Sequence, residues 1–187
     1  MVSNAQIGEL IVGAYHKVVT DAEVVSYNSR SKEDGEQMEI DVVAIDSSDG
    51  TQTVYACEVV THLNGKLYSG TPDTDNWSSF GNESYQYSLE KLETKFRSDH
   101  GYVTRVFDDA DEYVFQLWAP YVVDGILTDG LEVLSSEFQA EHGESIEFVI
   151  NETYTECVNE LRTLAADETK AYGEPAFRFL QITEQLR

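Results

Sequence analysis

The 187-residue sequence predicts one α/β domain with a mixed β-sheet flanked by helices. Three observations lead to this prediction. Segments with helical and strand periodicity alternate along the chain. An Asp49-Gly50 pair between two apolar runs predicts an antiparallel hairpin at the centre of the sheet. Hydrophobic residues make up 41% of the chain, enough for one core, and no repeat or low-complexity linker divides residues 1–187.

The first half of the chain predicts one helix and three strands. From Ile7 to Val19, apolar residues recur with the 3.6-residue period of an amphipathic helix, and His16 lies on the polar flank, where we expect it to face solvent. Strand-like segments follow at 23–28, 39–46 and 54–63. The last two form the arms of the predicted hairpin.

The second half of the chain predicts helices alternating with strands. A helix is expected from about Glu83 to Arg97, ended by His100-Gly101, and a buried strand is expected at 113–123. A helix at 127–140, a strand at 145–150, a helix at 153–166 and a last helix starting near Pro175 complete the chain. The predicted order is αβββαβ, then αβαα. It excludes a barrel and a doubly wound nucleotide fold, and no glycine-rich phosphate loop is present.

The charge of the chain limits its partners. Twelve Lys and Arg residues stand against 35 Asp and Glu residues, which gives a net charge of −23. Such a surface repels polyanions and argues against a basic DNA binder and against an anionic membrane surface. The acidic residues are spread along the chain and resemble the composition of haloarchaeal proteins, whose cytoplasmic salt screens surface charge over about 3 Å at 1 M. With no signal peptide or membrane span recognisable, we expect a soluble, cytoplasmic, halophilic protein.

Two carboxylates are predicted to face each other across the hairpin. With a two-residue loop at 49–50, opposite positions sum to 99, so Asp41 lies opposite Glu58. Val43 then lies opposite Ala56 on the same face. Directly opposed side chains have Cβ atoms about 4.5–5.5 Å apart, and like charges there are unfavourable. Either one carboxyl group keeps its proton, or a cation such as Mg²⁺ or Mn²⁺ lies between the two.

Other interpretations of this pair remain open. The two side chains could lie on a solvated face of the sheet, or each could form an ion pair with a neighbouring helix. If the turn is shifted by one residue, the two carboxylates no longer lie opposite each other.

The order of these residues along the chain resembles the PD-(D/E)XK nuclease superfamily, which has a restriction-endonuclease-like αβββαβ core. The resemblance covers about residues 3–97 and the next strand, with additional helices at the C-terminus. Its motif residues are Glu9 in GELIVGAY, Asp41 in EIDVVAID and Glu58 in ACEVVTH. It implies Mg²⁺- or Mn²⁺-dependent cleavage of DNA, in repair or recombination. Asp41 and Glu58 would be catalytic residues and metal ligands, and Glu9 would be a ligand or would hold a metal-bound water.

The sequence departs from this family at the motif lysine, because Val60 stands two residues after Glu58. In the family, the lysine positions the attacking water and stabilises charge on the phosphate. Lys91 and Lys95 lie at i, i+4 on the predicted helix after the hairpin and are the candidate catalytic substitutes, since lysines migrated to this helix occur in the superfamily. The other interpretation is an ordinary polar helix face.

Five further residues are candidate nucleic-acid contacts: Tyr27, Asn28 and Arg30 at the end of the first strand, His62 on the same strand face as Glu58, and Tyr87 beside the two lysines. Most clusters like the first are simply a strand end entering a loop. DNA is the expected partner, with no membrane partner, and self-association into a homodimer is a further expectation.

The sequence therefore predicts a metal-dependent DNA nuclease. The alternative is a catalytically inactive domain of the same fold that acts as a binding or assembly subunit, which Val60 favours. A third interpretation is an unrelated binding protein whose acidic pair merely binds a cation.

Overall fold

The computed structural model describes residues 5–30, 39–47, 50–64 and 67–187. The helices are α1 (Ile7–Val18), α2 (Glu83–Val106), α3 (Ile126–His142), α4 (Asn151–Asp167) and α5 (Pro175–Gln185). The strands are β1 (Val24–Arg30), β2 (Glu39–Asp46), β3 (Thr53–Val59), β4 (Glu112–Ala119) and β5 (Ile146–Ile150). A short 3₁₀ turn at Asp75–Trp77 precedes α2.

The five strands form one mixed sheet in the order β1-β2-β3-β4-β5. The first three strands are antiparallel neighbours, and β3, β4 and β5 are parallel. Parallel neighbours need long crossover connections, which α2 and α3 provide. Helices α2 and α3 contact each other and the strands β3 to β5. Helices α1, α4 and α5 form a second group, in which α1 contacts β1 to β3 and α4 contacts β4 and β5. This confirms the predicted α/β class, the αβββαβ order and the additional C-terminal helices.

The hairpin has the predicted register, although its connection is longer than predicted. Val43 lies opposite Ala56, and the ladder ends at the pair Asp46 and Thr53. Residues 47–52 form the connection, in which Gly50 has a φ of +79°, a conformation that favours glycine; Asp49 lies outside the described residues. Opposite positions still sum to 99, because the longer connection takes the same number of residues from each strand and so leaves the pairing of the others unchanged.

Successive side chains of β2 and β3 point to opposite faces of the sheet, and each face packs into a different hydrophobic core. Val42 and Cys57 pack with Val12 of α1. Their neighbours Val43 and Ala56 belong to the larger core, which α2 and α3 cover. A one-residue slip would exchange these two sets, so the burial of both faces specifies the register strongly.

Helix α2 is longer than predicted, and the expectation that His100-Gly101 ends it was wrong. Leu92, Phe96 and Val103 are all fully buried on one stripe of this helix. Burial of Val103 therefore carries the helix through Gly101, whose cost in a helix interior is about 1 kcal/mol. The strands predicted at 54–63 and 113–123 end earlier, at Val59 and Ala119. None of the helices in the described ranges is long and apolar enough for a membrane span.

His16 is buried, which corrects the expectation that it faces solvent. Its Nε2 lies 3.0 Å from Oε1 of Gln116 and 3.4 Å from Sγ of Cys57, and its Nδ1 lies 3.3 Å from Oγ1 of Thr20. Burial lowers the pKa of His16 to about 4, although the contact with Gln116 opposes the shift. The polar flank of α1 thus covers polar side chains of the sheet rather than water.

The buried His16 predicts acid sensitivity. Because its pKa is lowered in the folded state, its contribution to stability is complete above about pH 6.5 and is lost as the pH falls through 4. The loss should reach about 3 kcal/mol. Urea denaturation of wild type and His16→Gln at pH 7 and pH 4 isolates this contribution, because the difference between the two proteins should change by that amount. A difference that stays constant with pH would contradict the assignment.

Candidate active site

The two hairpin carboxylates meet at the end of the β2–β3 ladder. Val42 pairs with Cys57, so the next pair in the same register is Asp41 and Glu58. Both lie on the sheet face that α2 covers. Glu58 has no exposed surface, and Asp41 is 8% exposed. Oδ2 of Asp41 accepts a hydrogen bond of 2.8 Å from the backbone N–H of Val59, which holds its carboxylate against the end of β3.

Lys95 of α2 reaches this pair. Its ammonium forms an ion pair with Oε2 of Glu58 and lies 3.9 Å from Oδ1 of Asp41. The lysine side chain is 18% exposed, so its charge lies at the boundary between the cluster and the surface. The structure therefore brings three of the predicted site residues together.

Lys91, the other candidate lysine, lies elsewhere. Its Nζ is 3.9 Å from Oε1 of Glu90 and 5.0 Å from the ring centroid of Tyr87. Both lysines project from the same helix, and the packing of α2 on β3 and β4 decides which of them meets the carboxylates.

Asp99 is a site residue that the sequence reasoning missed. It lies one turn after Lys95, is 2% exposed, and contacts Glu58. Its Oδ2 accepts no hydrogen bond from the residues that the structure describes. The signal in the sequence was a charged residue between Phe96 and Val103 on the apolar stripe of α2. Ending the helix at Arg97 removed Asp99 from consideration.

Burial dominates the electrostatics of the cluster. It raises the pKa of Glu58 well above its usual range, as do the charges of Asp99 and Asp41, while Lys95 opposes the shift. Burial likewise raises the pKa of Asp41, and it raises the pKa of Asp99 to about 7 against the effect of Lys95. Burial alone would lower the pKa of Lys95, but Glu58 and Asp41 raise it above its usual value. The ammonium is therefore charged at neutral pH, and the pKa of each of the three carboxyl groups lies above its usual value.

Glu9 approaches the cluster from α1. Its Oε2 accepts hydrogen bonds from the backbone N–H of Gln6 at 2.8 Å and from Nδ2 of Asn28 at 3.1 Å. Its charge contributes to the raised pKa of Asp41, so the two carboxylates interact. Within the described ranges, however, no three His, Cys, Asp or Glu side chains are grouped so that they could hold a metal ion.

The candidate contacts on β1 lie in different environments. Tyr27 packs in the core beside α1, and its hydroxyl donates to Glu174. Asn28 is next to the site, held by its bond to α1. Arg30 is partly exposed and forms an ion pair with Glu39, with 2.6 Å between Nη2 and Oε2. Of these three residues, Asn28 is the one that contacts a predicted metal ligand.

The other two candidate contacts lie near the surface. His62 is exposed and follows the end of β3, so the expectation that it shares a strand face with Glu58 was wrong. Tyr87 is half-buried beside Lys91, and its ring covers Gly70, where a Cβ atom would lie 2.3 Å from the ring.

The cluster holds more carboxylates than ammonium groups. Asp41, Glu58 and Asp99 bring three carboxylates to one buried region, against the ammonium of Lys95. Two negative charges therefore remain for protons or a further cation to neutralise. Mg²⁺ prefers oxygen donors and binds through one or two carboxylates, with water molecules at its other positions. Asp41 and Glu58 supply two carboxylates of this kind, and Lys95 now pairs with Oε2 of Glu58.

Comparison of the chain with protein-family models, with curated proteins and with solved structures finds no match. The relation to the PD-(D/E)XK superfamily thus depends on the residues and geometry of this chain, and it stays a prediction.

Proposed function

We propose that the protein is a metal-dependent nuclease that hydrolyses DNA phosphodiester bonds, in DNA repair or recombination. The observation that supports it most directly is the ammonium of Lys95 at the opposed carboxylates of Asp41 and Glu58. An aspartate, a glutamate and a lysine are the set that the PD-(D/E)XK resemblance implies. Here α2 would supply the lysine that is missing at Val60.

Each of the three residues has a role in this proposal. Asp41 and Glu58 would hold the cation, which when bound acidifies a water ligand and stabilises negative charge on the phosphate. Lys95 is charged at neutral pH and would orient the attacking water and donate a hydrogen bond to a phosphate oxygen. Hydrolysis forms one P–O bond from water and breaks the bond to the leaving oxygen. The attacking water loses a proton, and the leaving oxygen gains one.

The strong acidity of the chain is compatible with a DNA substrate at high salt. Attraction between lysines and phosphates weakens steeply as salt rises, because the counterions that binding releases gain less entropy on entering a more concentrated salt solution. Metal bridging and hydrogen bonds to the phosphate would carry more of the affinity. A net charge of −23 therefore does not count against this substrate in molar KCl.

A catalytically inactive binding or assembly subunit is the second candidate. It is favoured by the complete burial of Glu58 and its ion pair with Lys95, because the ammonium compensates the charge of that carboxylate. In that case the cluster would be a structural feature of the domain.

A cleavage assay separates the two candidates. Supercoiled plasmid and branched DNA are incubated in high KCl with Mg²⁺ or EDTA, using wild type, Asp41→Asn and Glu58→Gln. We expect wild type to cut only with Mg²⁺, and both variants to fall to the EDTA level. Equal background cutting by all three proteins would contradict the nuclease. Mg²⁺ binding without cutting would favour the inactive subunit.

A further inference from the structure

Lys95 uses the same oxygens that a cation would bind. Its ammonium pairs with Oε2 of Glu58 and lies 3.9 Å from Oδ1 of Asp41. A divalent cation at these oxygens would repel the ammonium. Because the side chain is only 18% exposed, water could replace the lost anion only in part. The lysine therefore needs a second anion if it is to stay beside the site.

Asp99 meets this requirement. Residues at i and i+4 of a helix are neighbours on its surface, so Asp99 lies beside Lys95 on α2. The burial of Phe96 and Val103 holds this turn of the helix against the sheet. The carboxylate of Asp99 is buried and shares a hydrogen bond with Glu58, while its Oδ2 meets no hydrogen-bond donor within the described part of the chain. Buried carboxylate oxygens are normally paired, so this oxygen has capacity for a donor that arrives.

Tyr68, a further polar group in the described ranges, lies close to all of these charges, but it cannot take this role. Burial raises the pKa of Tyr68 to about 12, so its phenol is neutral at physiological pH. A neutral hydroxyl group does not compensate an ammonium charge. Among the residues that the structure describes, Asp99 is thus the carboxylate beside Lys95 once a cation occupies Asp41 and Glu58.

We propose that Asp99 is a positioning residue: it receives the ammonium of Lys95 when a divalent cation binds to Asp41 and Glu58. The lysine then stays beside the cation without competing for its ligands. This inference rests on the proposed function, since it assigns the residue that couples metal binding to the placement of the lysine.

Mn²⁺ binding measures this coupling without any cleavage assay. Paramagnetic resonance titrations in high KCl compare wild type, Asp99→Asn, Lys95→Met and the double variant. In Asp99→Asn the ammonium should stay on Glu58 and compete with the ion, so the affinity for Mn²⁺ should fall about tenfold or more. In the Lys95→Met background, which has no competitor, the same Asp99→Asn change should cost less than about threefold. Near-ultraviolet circular dichroism checks the fold of each variant.

Two control variants test whether the effect depends on a carboxylate at position 99 and not on the net charge of the protein. Glu132→Gln removes one exposed negative charge on α3 and should leave the affinity for Mn²⁺ unchanged. Asp99→Glu keeps the carboxylate and should stay within about threefold of wild type.

The outcomes distinguish this inference from the proposed function. If wild type does not bind Mn²⁺, the proposed function fails and this inference fails with it. If wild type binds Mn²⁺ but Asp99→Asn has no effect, the positioning role alone is overturned. An equal loss of affinity in both backgrounds also overturns it, because Asp99 would then act through its own charge on the ion.

Discussion

Lys95→Met is expected to lower the rate of Mg²⁺-dependent DNA cleavage by about 10²- to 10³-fold, whereas Lys91→Met should stay within about twofold of wild type. The ammonium of Lys95 lies at Asp41 and Glu58, while that of Lys91 lies beside Glu90. A donor in contact with the reacting phosphate stabilises charge that develops there, and a lysine one turn away does not. The measurement is the single-turnover rate at saturating Mg²⁺ in high KCl.

Lys91→Met is a matched control, because it removes the same charge from the same helix. Equal losses in the two variants would mean that the lysines act through general attraction of DNA, and would contradict the role of Lys95. A normal rate in Lys95→Met would remove the basis for assigning the missing motif lysine to α2.

The second large effect concerns stability. Without metal, Lys95→Met removes the counter-charge from a fully buried Glu58. Breaking a buried ion pair from one side costs about 3–5 kcal/mol. Lys91→Met breaks a pair whose lysine is 36% exposed, and it should cost about 0–1 kcal/mol. Urea denaturation with EDTA at pH 8 compares the two variants with wild type.

The pH dependence of this loss tests its cause. Burial and the charges of Asp99 and Asp41 raise the pKa of Glu58 in the folded protein above the value of about 4.3 that it has in the unfolded chain. The protonated group's contribution to stability is complete below that value and is lost as the pH rises through the folded pKa. Lys95→Met should therefore recover stability as the pH is lowered from 8 toward 5.

Replacing Glu58 by Gln removes the buried charge at pH 8, as protonation does at lower pH. The double variant Lys95→Met/Glu58→Gln should therefore recover most of the unfolding free energy that Lys95→Met loses. A double variant as unstable as Lys95→Met would show that packing, and not the buried charge, causes the instability.

The hairpin and its acidic pair were predictable because strand geometry is local. Side chains alternate with a period of two residues, and the Asp49-Gly50 pair marks the midpoint of the connection. These two facts set the sum of opposite positions, and with it the placement of Asp41 opposite Glu58. The connection is longer than the two residues predicted, but this does not change the register, because the extra residues come equally from both strands.

The end of α2 and the burial of His16 were not predictable in the same way. Local signals at His100-Gly101 favoured a helix end, yet burial of Val103 against the sheet outweighs them. His16 lies on the polar flank of α1, but Gln116, its partner, comes from β4, a hundred residues later. A polar pattern cannot show whether a helix face meets water or other polar side chains.

The order of the elements, the register of the hairpin and the pairing of Asp41 with Glu58 follow from the amino-acid sequence alone, because each depends on the periodicity of short segments. The identity of the lysine that completes the cluster, Lys95 and not Lys91, and the membership of Asp99 follow from the packing of the folded chain. Those two outcomes depend on the rotation and length of α2 over the sheet. Side chains from several distant segments set both together, so no single segment of the chain contains the information.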